Sequence, residues 1–328
     1  MQAKPTTRAL EFGDEFRYPQ TSPSVSVVIP CYNAEQWVLR SIETALNQQQ
    51  VKVEVIAIDD GSTDRSFEVI KSFGDEVIAF TGPNRGACTA RNHGLELATS
   101  ELVIFLDADD YLEPNSLVEW VACAVNADLV FGPFVYEANG QRVSWERFGS
   151  PLSNYSIVSQ WLDGQFTPSC SVLWRRSFLR RIGGWNPCVL RNQDGEATIR
   201  ALLSGARVSI SQAGLGVYVG HPNPDRVSKR VGKEAIASQV SSYEGLWTLA
   251  DPAGKTLTQK SFARGFYRLA YEAFAGGFDD VGEAALSQAR ALGLRGHPGT
   301  LPHSCLSHLL GLRTKLRMTR ALRSKPRL

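Results

Sequence analysis

The sequence LVIFLDADD, residues 102–110, is the part of this chain that most clearly indicates its fold. Its apolar run, Leu102 to Leu106, is typical of a strand buried on both faces of a parallel sheet. Open α/β sheets bind ligands at the carboxyl ends of their strands, which is where the acids of this sequence follow. Carboxylates suit hard cations, and Mg²⁺ is commonly held by one or two carboxylates together with substrate phosphates. The stretch therefore predicts a buried strand, a divalent cation and a phosphate-bearing substrate.

The first third of the chain alternates short apolar runs with amphipathic stretches. Runs at 25–29, 53–58 and 77–80 predict three further strands. The stretches between them have helical spacing. One helix is expected to bury Val38, Ile42, Ala45 and Leu46, and another, from Pro114, to bury Leu117, Val118, Val121 and Val125. This βαβ pattern predicts a doubly wound, Rossmann-like α/β sheet with helices on both faces.

The rest of the chain is less regular and then becomes helical. Strands are expected near 129–136, 171–174 and 207–210, with a helix over 194–204. After Ser228 two apolar stripes with helical spacing flank Gly276-Gly277. They predict a helical hairpin appended to the α/β unit.

Composition narrows the classes of protein to consider. The chain has 328 residues, 43% of them hydrophobic, and a net charge of +2, so no nucleic-acid partner is expected. Its six cysteines form no CxxC pair and follow no secretory signal, which favours reduced thiols and a cytoplasmic location. No apolar stretch approaches the roughly 20 residues that span a bilayer, so any membrane contact is expected to be peripheral.

The end of the chain is basic. Residues 313–328 contain seven Lys and Arg and no acid. Interleaved leucines at 306, 309, 310, 312 and 316 allow an amphipathic helix that lies on an anionic membrane, such as the inner face of the plasma membrane. A solvated helix or a frayed terminus explains the same pattern equally well.

Four ordered motifs carry a family resemblance. They are VSVVIPCYNAE (25–35), IAIDDGSTD (56–64), NRGACTARNHG (84–94) and FLDADDYLEP (105–114). Together they resemble the inverting, non-processive family-2 glycosyltransferases of bacteria, and a weaker match continues to about Ser228. The resemblance implies the GT-A nucleotide-diphospho-sugar transferase fold, in which a Rossmann-like mixed sheet carries helices on both faces. Within that fold we expect a nucleotide-binding half (23–126) and an acceptor half (127–230). The residue patterns add a leader (1–22), a helical extension (231–302) and a basic amphipathic tail (303–328).

The resemblance assigns roles to residues in these motifs. Those implied to contact the donor are Pro30, Tyr32, Glu35, Asp60, Arg91, Asp107 and Asp109. Asp60 would hydrogen-bond the base, usually uracil, and Asp109 of the DxD pair would hold Mn²⁺ or Mg²⁺. Asp also favours turns and helix caps, and this is the reading we prefer for Asp64. Acids at the mouth of a buried sheet are costly without a partner, which favours function for Asp60 and Asp109.

The resemblance also implies a catalytic base and a further ligand. The family's base is the second acid of a Glu-Asp pair that starts a helix; Asp194 matches it, although Gln193 replaces the glutamate. Glu196 is the fallback, and a first-turn acid can instead simply stabilise the helix dipole. His221, with Arg226 and Ser228, resembles a segment whose histidine approaches the diphosphate or metal, whereas a lone histidine is more often a hydrogen-bonding loop residue.

The resemblance implies the transfer of one sugar to a hydroxyl of a glycan or lipid-linked glycan during cell-surface polysaccharide synthesis. The donor expected from the family's usual base is UDP-linked. Two alternatives stay open. A sugar-1-phosphate nucleotidyltransferase would carry a GxGxR loop where this chain has PCYNAE. An inactive relative that only binds nucleotide-sugar is kept open by Gln193.

Overall fold

A computed structural model describes residues 23–144, 153–221, 232–298 and 300–323, with side chains described as far as 318. The predicted leader, 1–22, lies outside these ranges. The strands are β1 (Ser24–Cys31), β2 (Lys52–Asp59), β3 (Val77–Thr81), β4 (Leu102–Phe105), β5 (Tyr111–Leu112), β6 (Leu129–Phe131), β7 (Phe134–Ala138), β8 (Gln141–Ser144), β9 (Val172–Arg175), β10 (Val208–Ile210) and β11 (Gly216–Gly220). The helices are α1 (Val38–Leu46), α2 (Ser66–Lys71), α3 (Ala87–Leu97), α4 (Ser116–Ala122), α5 (Asn154–Leu162), α6 (Arg176–Arg181), α7 (Gln193–Leu203), α8 (Lys233–Leu249), α9 (Pro252–Gly276), α10 (Asp279–Ala291), α11 (Leu301–Leu310) and α12 (Leu312–Arg323).

A mixed sheet forms the centre of the molecule. Within the described ranges it has seven strands in the order β10-β6-β9-β4-β1-β2-β3. Strand β9 runs antiparallel to both of its neighbours, and the other pairs are parallel. Apolar side chains alternate between the two faces: Val27 packs toward α1, and Val28 packs toward α3. The predicted mixed sheet with helices on both faces is confirmed.

One predicted strand is in fact two. The run 129–136 divides into β6, in the main sheet, and β7, in a second sheet of order β5-β11-β7-β8. Gly132 and Pro133 lie between them. A Cβ on Gly132 would approach the Trp120 ring to 2.3 Å, and proline has no N–H to donate, so the chain leaves the first sheet at this point.

Helix α4 packs differently from its predicted pattern. Leu117 is buried as expected, but Val125 is 76% exposed because α4 ends at Ala122. Trp120 is fully buried in its place and donates its indole N–H to the carbonyl of Ala213. The expected burial of Val125 is therefore wrong.

The helical hairpin is confirmed as α9 and α10, which turn at Gly277 with a φ of +84°. It packs against α5 and α8. Phe262 and Phe266 of α9 belong to the same apolar cluster as Trp161 of α5 and Phe105 of β4. The extension therefore shares a core with the α/β part.

The end of the chain does not form one continuous amphipathic helix. Gly311, with a φ of +75°, separates α11 from α12. Leu312 and Leu316 are buried within the apolar cluster of the extension, whereas Leu306, Leu309 and Leu310 are exposed. The expectation that all five leucines share one lipid-facing stripe is thus corrected. Residues 324–328 lie outside the description.

Two further observations concern the whole described chain. None of its helices combines the length and apolar character that crossing a bilayer requires. None of the six cysteines forms a disulfide; Cys31, Cys88 and Cys170 are buried, whereas Cys188 and Cys305 are exposed. Burial raises the pKa of the Cys31 thiol to about 12.

Candidate active site

A cavity of about 350 Å³ opens at the carboxyl ends of β1, β2 and β4. The predicted site residues that line it are Pro30, Tyr32, Asp60, Arg91, Asp107, Asp109, Asp194 and His221. Glu35 does not line the cavity, because its carboxylate accepts hydrogen bonds from Arg65. A role for Glu35 at a nucleotide therefore stays a prediction.

The loops after β1 and β2 hold each other in place. Asn33 donates its backbone N–H to the Ser62 hydroxyl, and its side-chain oxygen accepts from the Thr63 N–H at 2.8 Å. Gly61 lies beneath them with a φ of +77°, and a Cβ there would come within 2.7 Å of the Asn84 nitrogen. Only glycine fits this position. Asp64 accepts from the N–H of Ser66, the first residue of α2, and from the N–H of Glu35, so its contacts are structural, although the N-cap itself is Arg65.

Asp60 shapes the floor of the cavity. Its two carboxylate oxygens accept the backbone N–H groups of Arg85 and Gly86, each at 2.8 Å. This fixes the loop that leads into α3. A carboxylate has about four acceptor positions, so Asp60 can hold this loop and still accept a further donor from a ligand.

The acidic loop after β4 is held from behind by Ser41 of α1. The Ser41 hydroxyl lies within hydrogen-bond distance of the carbonyls of Ala108, at 2.8 Å, and of Asp110. Carboxylate oxygens of Asp107, Asp109 and Asp110 lie within 4.8 Å of one another. Such a cluster at a cavity wall is a suitable donor set for a hard divalent cation.

His221 completes this side of the cavity. Its Nε2 lies 2.6 Å from Oδ2 of Asp109, and its ring stacks on Trp37 with centroids 4.2 Å apart. Asp109 and His221 therefore lie next to each other, as expected. Their side chains fit a cation held by a carboxylate and an imidazole. Arg226 and Ser228, predicted to act with His221, lie outside the described residues.

Arg91 connects the acidic loop with α7. One guanidinium nitrogen donates to Asp107 at 2.7 Å and another to Oε1 of Gln193 at 2.8 Å. The guanidinium also lies over the Trp185 ring, 4.5 Å from its centroid. Gln193 in turn donates its side-chain N–H to the carbonyl of Val189. Because its oxygen accepts from Arg91 and its nitrogen donates to Val189, the orientation of the Gln193 amide is fixed.

Asp194 lies in the first turn of α7, beside this bridge. Its Oδ1 is inaccessible to solvent and makes no hydrogen bond within the described structure. Burial raises the pKa of Asp194 from 3.8 to about 6; the Arg91 guanidinium opposes this rise and the Asp107 carboxylate adds to it. Glu196, the fallback, is buried in a bidentate pair with Arg200 and does not line the cavity. The geometry thus favours Asp194 over Glu196 as a proton acceptor.

Several residues of the cavity were not found from the sequence. One part of its lining, which we call the aromatic wall, consists of Trp161, Phe166, Pro168 and Tyr218, contributed by α5, the loop after it and β11. Trp37, which also lines the cavity, and Ser41, which holds the acidic loop from behind, were missed as well. None belongs to a motif, and their convergence depends on contacts between distant parts of the chain.

Comparison with known proteins agrees with this geometry. Residues 26–183 match the model of the family "Glycosyl transferase family 2". An uncharacterized glycosyltransferase of Haemophilus influenzae is 41% identical over 99 residues, which are 29% of this chain and 40% of that protein. An uncharacterized glycosyltransferase of Rickettsia typhi is 27% identical over 238 residues, 69% of this chain and 71% of that protein.

Solved structures show the same fold. Residues 1–349 of Staphylococcus aureus TarS superpose with a TM-score of 0.61 at 17% identity, covering 93% of each chain. The mannosyltransferase PcManGT of Pyrobaculum calidifontis, solved with GDP-Man and Mn²⁺, gives a TM-score of 0.58 at 18% identity, covering 93% of this chain and 85% of that one. The fold is that of the GT-A glycosyltransferases. Residues 26–183 of this chain form a glycosyltransferase family 2 domain.

Proposed function

We propose that this protein transfers a single sugar from a UDP-linked donor to a hydroxyl of a glycan or lipid-linked glycan. The transfer inverts the configuration at the anomeric carbon of the sugar. The observation that carries the proposal is the meeting of Asp60, the acidic loop and Asp194 at one cavity. TarS has been solved with UDP-GlcNAc and PcManGT with GDP-Man, which supports a nucleotide-sugar donor.

Asp194 is proposed as the general base. A carboxylate with a pKa of about 6 is deprotonated at neutral pH, yet basic enough to take a hydroxyl proton as the acceptor attacks. The base and the acidic loop border the same cavity. In the proposed reaction the acceptor attacks the anomeric carbon from the side opposite the leaving diphosphate. Such an approach gives inversion at the anomeric carbon.

Asp109 and His221 are the residues proposed to hold Mn²⁺ or Mg²⁺. Their donor atoms lie side by side at the cavity wall, and Asp107 is held next to them by Arg91. A bound cation would supply charge neutralisation for the departing diphosphate. The chain's own contribution is to fix these donors, through Ser41 behind the loop and Trp37 beneath the imidazole.

The aromatic wall is the proposed acceptor side. Trp161, Phe166 and Tyr218 contribute aromatic side chains to the lining of the same cavity as the acids. Aromatic rings offer large apolar contact area with defined geometry, which suits the apolar face of a sugar ring. We therefore place the acceptor sugar against this wall and the nucleotide near Tyr32 and Asp60.

The decisive experiment compares Asp194→Asn with the parent protein. A donor panel of UDP-GlcNAc, UDP-glucose and GDP-mannose first identifies the nucleotide by calorimetry. We expect Asp194→Asn to bind that donor unchanged and to lose about 10²- to 10⁴-fold in transfer rate. Asp280→Asn, which alters an acid in the first turn of α10, serves as the matched control. Unchanged transfer by Asp194→Asn would remove the base assignment.

The same panel tests the alternative of an inactive nucleotide-sugar-binding relative. This alternative is kept open by Gln193, which stands where the family usually has glutamate. Donor binding by the parent protein, with no transfer to any member of an acceptor glycan panel, would favour it.

Metal use is tested separately by thermal unfolding with UDP. A ligand at about 100 times its Kd stabilises a protein by roughly 2.7 kcal/mol. Mn²⁺ and UDP together should raise the Tm of the parent protein, whereas Asp109→Ala should lose the increment that depends on Mn²⁺. The Asp280→Ala variant should keep it. An unchanged increment in Asp109→Ala would contradict the assignment.

A further inference from the structure

Helix α11 shows the reverse of the usual orientation of a surface helix. Successive residues turn by about 100° around a helix, which places Pro302, Leu306, Leu309 and Leu310 on one side. That side faces solvent: Leu306 is 46% exposed and Leu309 78% exposed. Ser307, which points away from Leu309, is the residue of α11 that is buried. A surface helix normally buries its apolar stripe, so among the residues that the structure describes these leucines form an unpartnered face.

The apolar face lies within a strongly basic part of the sequence. Residues 284–328 contain nine of the 35 Lys and Arg residues and none of the 33 Asp and Glu residues. The preceding part of the chain consequently carries an excess of acids. Some of these cations are used internally, since Arg313 and Arg317 both donate to Asp279. Arg320, Arg323, Lys325 and Arg327 follow in the sequence.

The charge distribution identifies the occupant that this face fits. An apolar helical face followed by clustered Lys and Arg is the pattern that binds anionic bilayers, with leucines at the acyl boundary and cations at the headgroups. The acidic remainder of the chain would be repelled by the same surface, which helps to orient the molecule. A neutral apolar partner would leave the concentration of cations unexplained.

We propose that the leucine face of α11, with the basic segment after it, docks this protein on an anionic membrane surface. The buried Leu312 and Leu316 are not part of the contact; they attach α12 to the helical extension. Gly311 joins the two helices, so α11 is anchored to the protein by α12 while its leucines stay available. The proposal is independent of the donor, the base and the metal.

The test is co-sedimentation of the full chain with vesicles of phosphatidylcholine, with or without phosphatidylglycerol. We expect binding only when phosphatidylglycerol is present, and release at about 1 M NaCl, where the screening length falls to about 3 Å. Leu306→Ser with Leu309→Ser should reduce the partition coefficient about tenfold or more. Truncation is avoided, because removing α12 would expose the core that Leu312 and Leu316 fill.

A matched double variant controls for general loss of hydrophobic surface. Leu39→Ser with Val125→Ser removes side chains of nearly the same exposure, 46% and 76%, from the α/β part. It should bind vesicles as the parent does, and both double variants should keep the parent Tm. Equal binding to neutral vesicles, equal losses in both double variants, or concentration-dependent dimerisation abolished by the Leu306 and Leu309 changes would each overturn the proposal.

Discussion

Arg91 links the acidic loop after β4 to the start of α7 across the cavity lining. It is buried, yet it hydrogen-bonds one carboxylate, Asp107, and a neutral amide, Gln193. A glutamate at 193 would give the guanidinium a second anion. Because Gln193 is neutral, the Arg91 charge acts more strongly on Asp194. It lowers the pKa of Asp194 and so opposes the rise that burial causes.

Gln193→Glu should therefore change the pH dependence of transfer. An added carboxylate beside Asp194 favours its protonated form, so the acidic limb of kcat/KM, expected near pH 6, should move up by as much as about one unit. Gln193→Met, which removes the hydrogen bond without adding charge, is the control and should not raise the limb in this way. An identical limb in all three proteins would contradict the electrostatic argument.

Asp194 should also lower the stability of the protein at neutral pH. Its pKa is about 6 when folded and near 3.8 when unfolded, so the unfolded chain loses this proton first and stability falls as pH rises between these values. Asp194→Asn should then be more stable than the parent protein by about 1 to 3 kcal/mol at pH 7.5. Urea unfolding should show this gain shrinking through pH 6 and vanishing near pH 4. A constant gain at both pH values would point to another cause.

At this scale the sequence indicated which residues matter but not what they touch. Asp60, Asp109 and Asp194 lie in motifs, and each lines the cavity. The contact of Arg91 with Gln193 spans 102 positions of the chain, and the stacking of Trp37 on His221 joins β1's loop to the end of β11. Such pairs leave no local pattern in a single sequence.

At the scale of elements, α3 packs closely against β1. A Cβ on Gly94 would lie 2.3 Å from Cγ1 of Val28, which is fully buried. This contact sets how near the helix that carries Arg91 lies to the central strand. A larger residue would push the helix away from the sheet and move Arg91 from Asp107.

Gly94→Ala should lower the free energy of unfolding by about 1 to 3 kcal/mol through overpacking. Gly245→Ala is the matched control, since Gly245 lies within α8 and a Cβ there meets nothing within 4 Å. That change should stabilise the protein by about 0.5 to 1 kcal/mol, because alanine loses less backbone entropy in a helix. Denaturant unfolding measures both; the same sign for both variants would contradict the packing argument.

The strands near the N-terminus were predictable because each is a compact apolar run. Those at 25–29, 53–58, 77–80 and 102–106 correspond to β1 to β4 within one or two residues at most ends. Prediction failed where tertiary contacts decide: the run 129–136 changes sheets at Gly132, and Trp120 takes the core position expected for Val125. Strands β5, β8 and β11 were not predicted, since each is short or only partly apolar.

Considered as a whole, the molecule has a core that crosses from the transferase fold into the helical extension. One apolar cluster contains Phe105 of the central sheet, Trp161 of α5, Phe266 of α9 and Leu316 of α12. The boundary placed near residue 230 in the sequence therefore does not separate two independent apolar cores.

The two parts should accordingly unfold together. Calorimetry of the full chain should give a single transition in which the calorimetric and van't Hoff enthalpies agree. Phe266→Ala, which removes a ring from the shared cluster, should lower the one Tm without splitting the peak; the loss expected is about 3 to 5 kcal/mol. Two resolved transitions would show that the extension is an independent unit.

The distribution of thiols gives this molecule two natural attachment points. The thiol of Cys31 borders the cavity but is buried and stays protonated, with a pKa of about 12, so neutral maleimides should leave it untouched. Cys188 and Cys305 are exposed, one shortly before α7 and the other on α11. Fluorophores attached to these two natural cysteines would respond to changes in two different regions. The one on Cys188 would sense ligand binding near the start of α7, and the one on Cys305 would sense the surroundings of the C-terminal helices.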